Sequence, residues 1–142
     1  MLNARSEIKL RKEQRDYLME KLSSEPHLDE TTTMSYAILR ETLQHGILVG
    51  DDDSLDKIVE INSIVAVKTS FGFKFGLRIV LPEEADLQFN RMSVLSSLGC
   101  ALYGRKEGDK VRWYFEGKEE TAEIIRVIQP REDTPLASRR WY

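Results

Sequence analysis

Three groups of residues in this chain are of types that do chemistry. Carboxylates stand close together at Asp51-Asp52-Asp53, and again as Glu25, Asp29 and Glu30 around Pro26; such clusters can hold a divalent cation. One thiol, Cys100, and two imidazoles, His27 and His45, are potential nucleophile, base or metal ligands. Phe71-Gly72-Phe73-Lys74-Phe75-Gly76 interleaves aromatics with a cation, as a strand that stacks RNA bases does. Each group also has a plainer reading. The acidic run lacks the alternating Asp/Asn ligands, the Gly and the terminal Glu of a calcium loop, and reads as a solvated linker. Cys100 sits among small and apolar residues with no identifiable base, which suits a core position. The histidines have no metal-ligand or carboxylate spacing and read as exposed or packing residues. Apolar alternation favours reading residues 71–76 as a glycine-containing hairpin with core aromatics. Trp113, inside a strand-like run, reads as a packing residue. The chain has no G-x-S-x-G, C-x-x-C, phosphate-loop or dinucleotide-loop pattern. The expectation is a binding protein rather than an enzyme, with no catalytic residue, cofactor or metal site.

The elements that must position these residues fall into two halves. The first is helical in pattern. Residues 5–23 contain no Gly or Pro, and Leu10, Gln14, Tyr17, Leu18 and Leu22 share a stripe surrounded by charge. Pro26 stops this helix, since the residue before a proline avoids helical geometry. Thr31, Thr32 or Thr33 can cap a second helix from Met34 to about His45, with Tyr36, Leu39 and Leu43 on one face and Gly46 as the stop. Two short helices with a short loop predict an antiparallel hairpin, a short coiled coil, over residues 1–50. A hairpin this small is marginal alone and must lean on the rest of the chain.

After an acidic linker, 51–57, the pattern becomes β-like over 58–129. Ile58–Ile61 and Ile64–Thr69 are rich in β-branched residues, and Phe75, Leu77, Ile79 and Leu81 alternate onto one face. Ser96 can cap a short helix that Gly104 closes. Lys110–Phe115 and Thr121–Ile128 flank a turn at Gly117. The tail 130–142 has two prolines and no periodicity. The predicted fold class is α+β: a helical hairpin followed by an antiparallel sheet domain with one short helix.

Composition narrows the function. The 142 residues are 32% charged, with a net charge of -3, which argues against direct nucleic-acid binding as the main activity while leaving room for a basic patch on one face. One cysteine excludes an internal disulfide. Apolar runs such as 46–49 fall far short of the ~18 residues of a membrane span, and no apolar signal core follows Met1, so a cytoplasmic protein without a membrane role is expected. Nothing in the pattern sets an oligomeric state.

The longest informative stretch joins Leu81-Pro82-Glu83-Glu84-Ala85-Asp86, then Met92-Ser93-Val94-Leu95-Ser96-Ser97-Leu98-Gly99-Cys100-Ala101-Leu102-Tyr103-Gly104, then Gly108-Asp109-Lys110-Val111. In order and spacing, over about residues 60–128, it resembles the C-terminal domain of the bacterial Gre transcript-cleavage factors. Ser97 stands where that family usually has Pro. The resemblance implies an FKBP-like sheet curled around the short helix, and docking on RNA polymerase at the rim of its secondary channel. It places the polymerase contact at Asp86, Ser93, Ser96 and Ser97. Gre factors carry magnesium-binding carboxylates on the tip of a long hairpin. Here the hairpin is much shorter, and the tip with Glu25, Asp29 and Glu30 lacks the Gly-Asp-x-x-Glu-Asn surroundings. In this the chain looks closer to the short-hairpin Rnk (regulator of nucleoside diphosphate kinase) group, which Asn62-Ser63 also fits. The implied function is a polymerase-binding elongation regulator without strong cleavage activity. The alternatives are a cleavage factor using Asp29 and Glu30, an FKBP-like peptidyl-prolyl isomerase, and a general protein-interaction module.

Overall fold

The computed structural model describes residues 8–24, 28–49 and 55–129. Glu25, the linker residues 51–54 and the tail 130–142 lie outside them.

Its centre is a five-stranded sheet. We number the strands β3 (Ile64–Thr69), β4 (Gly72–Val80), β5 (Arg91–Ser93), β6 (Lys110–Phe115) and β7 (Lys118–Ile128); their order across the sheet is β5-β4-β3-β7-β6. β3 lies in the middle, antiparallel to both β4 and β7, and its buried Val65 and Val67 face the core. Glu116 and Gly117 turn β6 into β7 with both φ angles positive, at 50° and 81°, the left-handed pair that matches the twist of a tight hairpin. The sheet is mixed, which corrects the antiparallel expectation: β5 pairs parallel with β4, Arg78 opposite Arg91. After β4 the chain crosses back through two 3-10 turns, Pro82–Glu84 and Leu87–Phe89, before entering β5.

Helix α3 (Ser97–Leu102) buries Leu98, Cys100, Ala101 and Leu102 in the same core as the sheet. Ahead of the sheet come β1 (Lys9–Arg11), α1 (Lys12–Ser23), α2 (Glu30–His45) and β2 (Ile47–Val49), with β1 and β2 paired parallel. Helix α1 is therefore shorter than the 5–23 expected, because residues 9–11 are drawn into a ladder. Helix α2 begins at Glu30 rather than Met34, because Asp29 caps it and the threonines do not: its carboxylate accepts the Thr32 amide at 2.7 Å. Residues 58–61 form no strand; Ile58 makes one isolated bridge to Lys106, and Asn62 turns the chain at φ 78°.

The two helices do lean on the sheet domain, and extensively. Leu10, Leu18, Leu22, Tyr36, Leu39 and Leu43 belong to one apolar cluster with Ile61, Val67, Ile79, Leu102 and Ile124. Their apolar stripes enter this common core, so they do not stand apart as a coiled coil. A buried polar clamp sets how α1 lies. The Gln14 carbonyl oxygen accepts from the Tyr103 hydroxyl at 2.8 Å and from the Ile61 amide at 3.2 Å. Beside it, Arg11 Nε donates to the buried Glu60 carboxylate at 2.8 Å, and Gln129 donates to its other oxygen.

Candidate functional site

Of the residues singled out for docking, Ser93 and Ser96 are hydrogen-bonded to each other, Ser97 follows them, and Asp86 is tied to Arg91 at the start of β5. Asp86, Ser93, Ser96 and Ser97 lie on one continuous segment along the β5 edge of the sheet, all half-buried. Asp86 is held by two backbone bonds with Arg91, of 2.9 and 3.0 Å, and its carboxylate accepts the Gln88 amide at 3.1 Å, opening the second 3-10 turn. The Ser93 hydroxyl accepts the Leu95 amide, while its carbonyl oxygen accepts from the hydroxyl of Ser96 at 2.7 Å. The Ser96 hydroxyl in turn accepts the Gly99 amide at 3.1 Å, which makes it the N-cap of α3. These side chains thus build the edge. Gly99 belongs to the same knot: a Cβ there would overlap the Ser93 carbonyl oxygen. Ser97 is the first helical residue, and a serine in that place leaves the cap intact.

Sequence reasoning missed what this framework presents. Leu87 and Phe89 project from the second 3-10 turn, 70% and 67% exposed, and the Arg91 guanidinium lies over the Phe89 ring at 5.9 Å. The two side chains form an exposed apolar pair with a cation close to one ring. The signal was available in Leu87-Gln88-Phe89, an apolar pair beside an acidic turn that no core periodicity claims.

The tip carboxylates are arranged differently. Asp29 is spent on the cap, and the Thr32 amide holds its carboxyl below the usual carboxylate range. Next to it the Thr31 hydroxyl accepts the Gly117 amide at 2.9 Å, fastening the start of α2 to the β6–β7 turn. Among the described residues no group of three His, Cys, Asp or Glu side chains lies close enough to hold a metal ion.

The remaining candidates divide. Cys100 is fully buried, and burial pushes its thiol up to about 12, so it is a core residue. His45 is exposed, and Trp113 is buried against Phe71 and Phe115. The glycine-containing hairpin at residues 71–76 is present, with Thr69 opposite Gly72, but its aromatics are not in the core: Phe71, Phe73 and Phe75 are 58%, 56% and 67% exposed. Phe75 leaves the face of Leu77 and Ile79 because Gly76, at φ 68°, is an extra residue in the β3–β4 ladder.

Together, the two helices, the mixed five-stranded sheet and the short helix α3 in one core define a domain of α+β class. A family model described as "Transcription elongation factor, GreA/GreB, C-term" matches residues 54–129. The chain belongs to this family. The transcription elongation factor GreA of Syntrophobacter fumaroxidans is 35% identical over 66 residues, 46% of this chain and 42% of that protein. GreA of Thermotoga maritima is 31% identical over 90 residues, 63% of this chain and 58% of that protein. The chain thus spans about half the length of these relatives. The solved structure titled prokaryotic transcription elongation factor GreA/GreB from Nitrosomonas europaea superposes with a TM-score of 0.66 at 21% identity, covering 87% of this chain and 99% of that one. That likeness establishes the fold.

Proposed function

We propose that the protein is a bacterial RNA polymerase-binding elongation regulator of the short-hairpin, Rnk-like type. It docks at the secondary channel through the β5 edge and does not drive strong transcript cleavage. It acts in the cytoplasm as a binding protein, and the sheet curled around α3 is of the FKBP-like kind without isomerase activity. No helix of the described residues is long and apolar enough to cross a membrane.

The observation that carries this reading is the β5 edge. A rigid acidic turn at Asp86 and the capped start of α3 frame an exposed apolar pair, Leu87 and Phe89, beside Arg91. Hydrogen bonds within the chain fix the frame before any partner arrives, so little ordering entropy is lost on docking. The test is co-purification with bacterial polymerase. Asp86→Lys with Ser97→Arg is expected to weaken binding by tenfold or more while the circular dichroism spectrum stays unchanged. Unaltered binding moves the contact off this edge. The cleavage reading has less support, since Asp29 caps α2 and Thr31 ties that end to Gly117.

A further inference from the structure

The face of the sheet opposite the core carries a second surface, with no part in the docking just described. Cross-strand partners share a face, so the register assigns its members. Phe73 lies beside Lys68, which lies beside Glu123, which lies beside Lys110. One row away are Phe75, Ala66 and Arg126, and beyond them Arg78, Ile64 and Ile128. The cations Lys68, Arg78, Lys110, Arg112 and Arg126 share this face with the carboxylates Glu119 and Glu123. In a chain of net charge -3 this is a local positive surplus. Its apolar members are aromatic and open. The Phe73 and Phe75 rings stack side by side, 5.8 Å between centroids and 10° between planes, and the Lys68 ammonium lies 5.7 Å from the Phe73 centroid.

Such a pair costs stability unless something uses it. Two exposed phenylalanines gain nothing from folding, and the Gly76 bulge turns Phe75 out of the core onto this face. Residues i and i+2 on a strand are ~6.7 Å apart, a spacing near that of consecutive bases in an extended strand. Aromatic rings on a sheet with neighbouring cations are the chemistry of base stacking and phosphate neutralisation. We propose that this face binds single-stranded RNA, with bases on Phe73 and Phe75 and phosphates on Lys68 and Arg126.

The adjoining surface favours RNA over DNA. A depression of about 460 Å³ beside Lys68 is lined by the carboxylates Glu119, Glu120 and Glu123, the hydroxyls of Ser70 and Thr121, and Lys110. Its carboxylates and hydroxyls accept hydrogen bonds, and on the sugar-phosphate strand the 2′-hydroxyl is the donor that RNA has and DNA lacks. A duplex hides its base faces and offers nothing to the two rings.

The test uses the full chain with a fluorescein-labelled oligouridylate of about ten nucleotides, followed by anisotropy at about 50 mM salt. Saturable binding is expected, with Phe75→Ala and Phe73→Ala each weakening it about tenfold. Lys68→Glu should weaken it and reduce the salt dependence by about 0.7 in slope for the phosphate lost. All three positions are exposed or at the sheet surface, so circular dichroism should show the parent fold. Ring-proton shifts of Phe73 and Phe75 in the unsubstituted protein on adding RNA read the same contact without a variant. Absence of binding overturns the proposal, as does equal affinity for duplex RNA or for the deoxy-oligonucleotide. Concentration-dependent dimers that Phe75→Ala abolishes would assign the face to a second copy of the chain and also overturn it. The readout contains no polymerase, so failure here leaves the β5-edge reading standing and is separable from it.

Discussion

Gln14 shows how one residue couples the two halves of the chain. Its place on the α1 stripe, among leucines, marks it in the sequence as a polar residue aimed at the core. In the fold its carbonyl oxygen answers two buried donors, the Tyr103 hydroxyl and the Ile61 amide. Burial, and secondarily the Glu60 carboxylate, push the Tyr103 hydroxyl well up, so it remains a donor throughout the physiological range. Gln14→Leu fills the space but removes the acceptor. Each stranded donor costs about 1–3 kcal/mol, so a loss of about 2–6 kcal/mol is expected in urea unfolding. Tyr103→Phe in that background removes one stranded donor and should recover about 1 kcal/mol. A cycle with no coupling between the two positions would mean that water satisfies these groups instead. The same burial that keeps Tyr103 protonated also keeps the Cys100 thiol protonated. Alkylation of Cys100 should therefore track unfolding.

At the scale of elements, the β3–β4 ladder turns on Gly76. Its φ of 68° lies in the left-handed region, and nothing lies near a Cβ placed there. The penalty for a side chain is thus conformational alone. Gly76→Ala is expected to destabilise the protein by about 1–2 kcal/mol, read from the denaturation midpoint with unchanged slope. A larger loss would mean that the bulge also repositions the neighbouring strand. The same residue marks the limit of sequence reading. Alternation correctly picked out Leu77, Ile79 and Leu81, and it failed at Phe75, because a bulge inserts a residue and reverses the face of everything before it. The other strands and α3 were legible because their turn residues and caps are local: Ser96 on α3, Gly117 between β6 and β7. The β1–β2 ladder and the parallel β5 were not legible. They are three-residue pairings selected by distant partners, Leu10 with Leu48 and Met92 with Ile79. At the β5 edge, the proposed docking surface, the sequence carried the framework, Asp86 to Ser97, through a family resemblance. It did not reveal that the serine hydroxyls are turned inward while Leu87 and Phe89 face out.

For the molecule as a whole, the question is whether the start of α2 can act at a distance. Helix α2 has 16 residues and α1 has 12, which correspond to ~24 Å and ~18 Å of length. That length lies along the domain. Tyr36, Leu39 and Leu43 are buried in the common core, and Thr31 is fastened to the β6–β7 turn. Swinging the tip outward would expose those side chains at about 1.5–3 kcal/mol each, besides breaking the Gly117 bond. Metal-assisted hydrolysis needs carboxylates converging on one ion with strict geometry. Asp29 already accepts the Thr32 amide, and Glu30, the next residue, opens the helix. The protein is therefore expected to leave transcript cleavage near its unassisted rate when added to a stalled, backtracked polymerase with magnesium. Asp29→Ala with Glu30→Ala should not change that rate. It should instead lower the thermal midpoint through the lost cap, which makes the variant a control for folding as well as for chemistry. Rapid shortening of the RNA by the unsubstituted protein, abolished in the double variant while the fold persists at the assay temperature, would return the tip carboxylates to a catalytic role and show that α2 lifts from the sheet when the protein meets its partner.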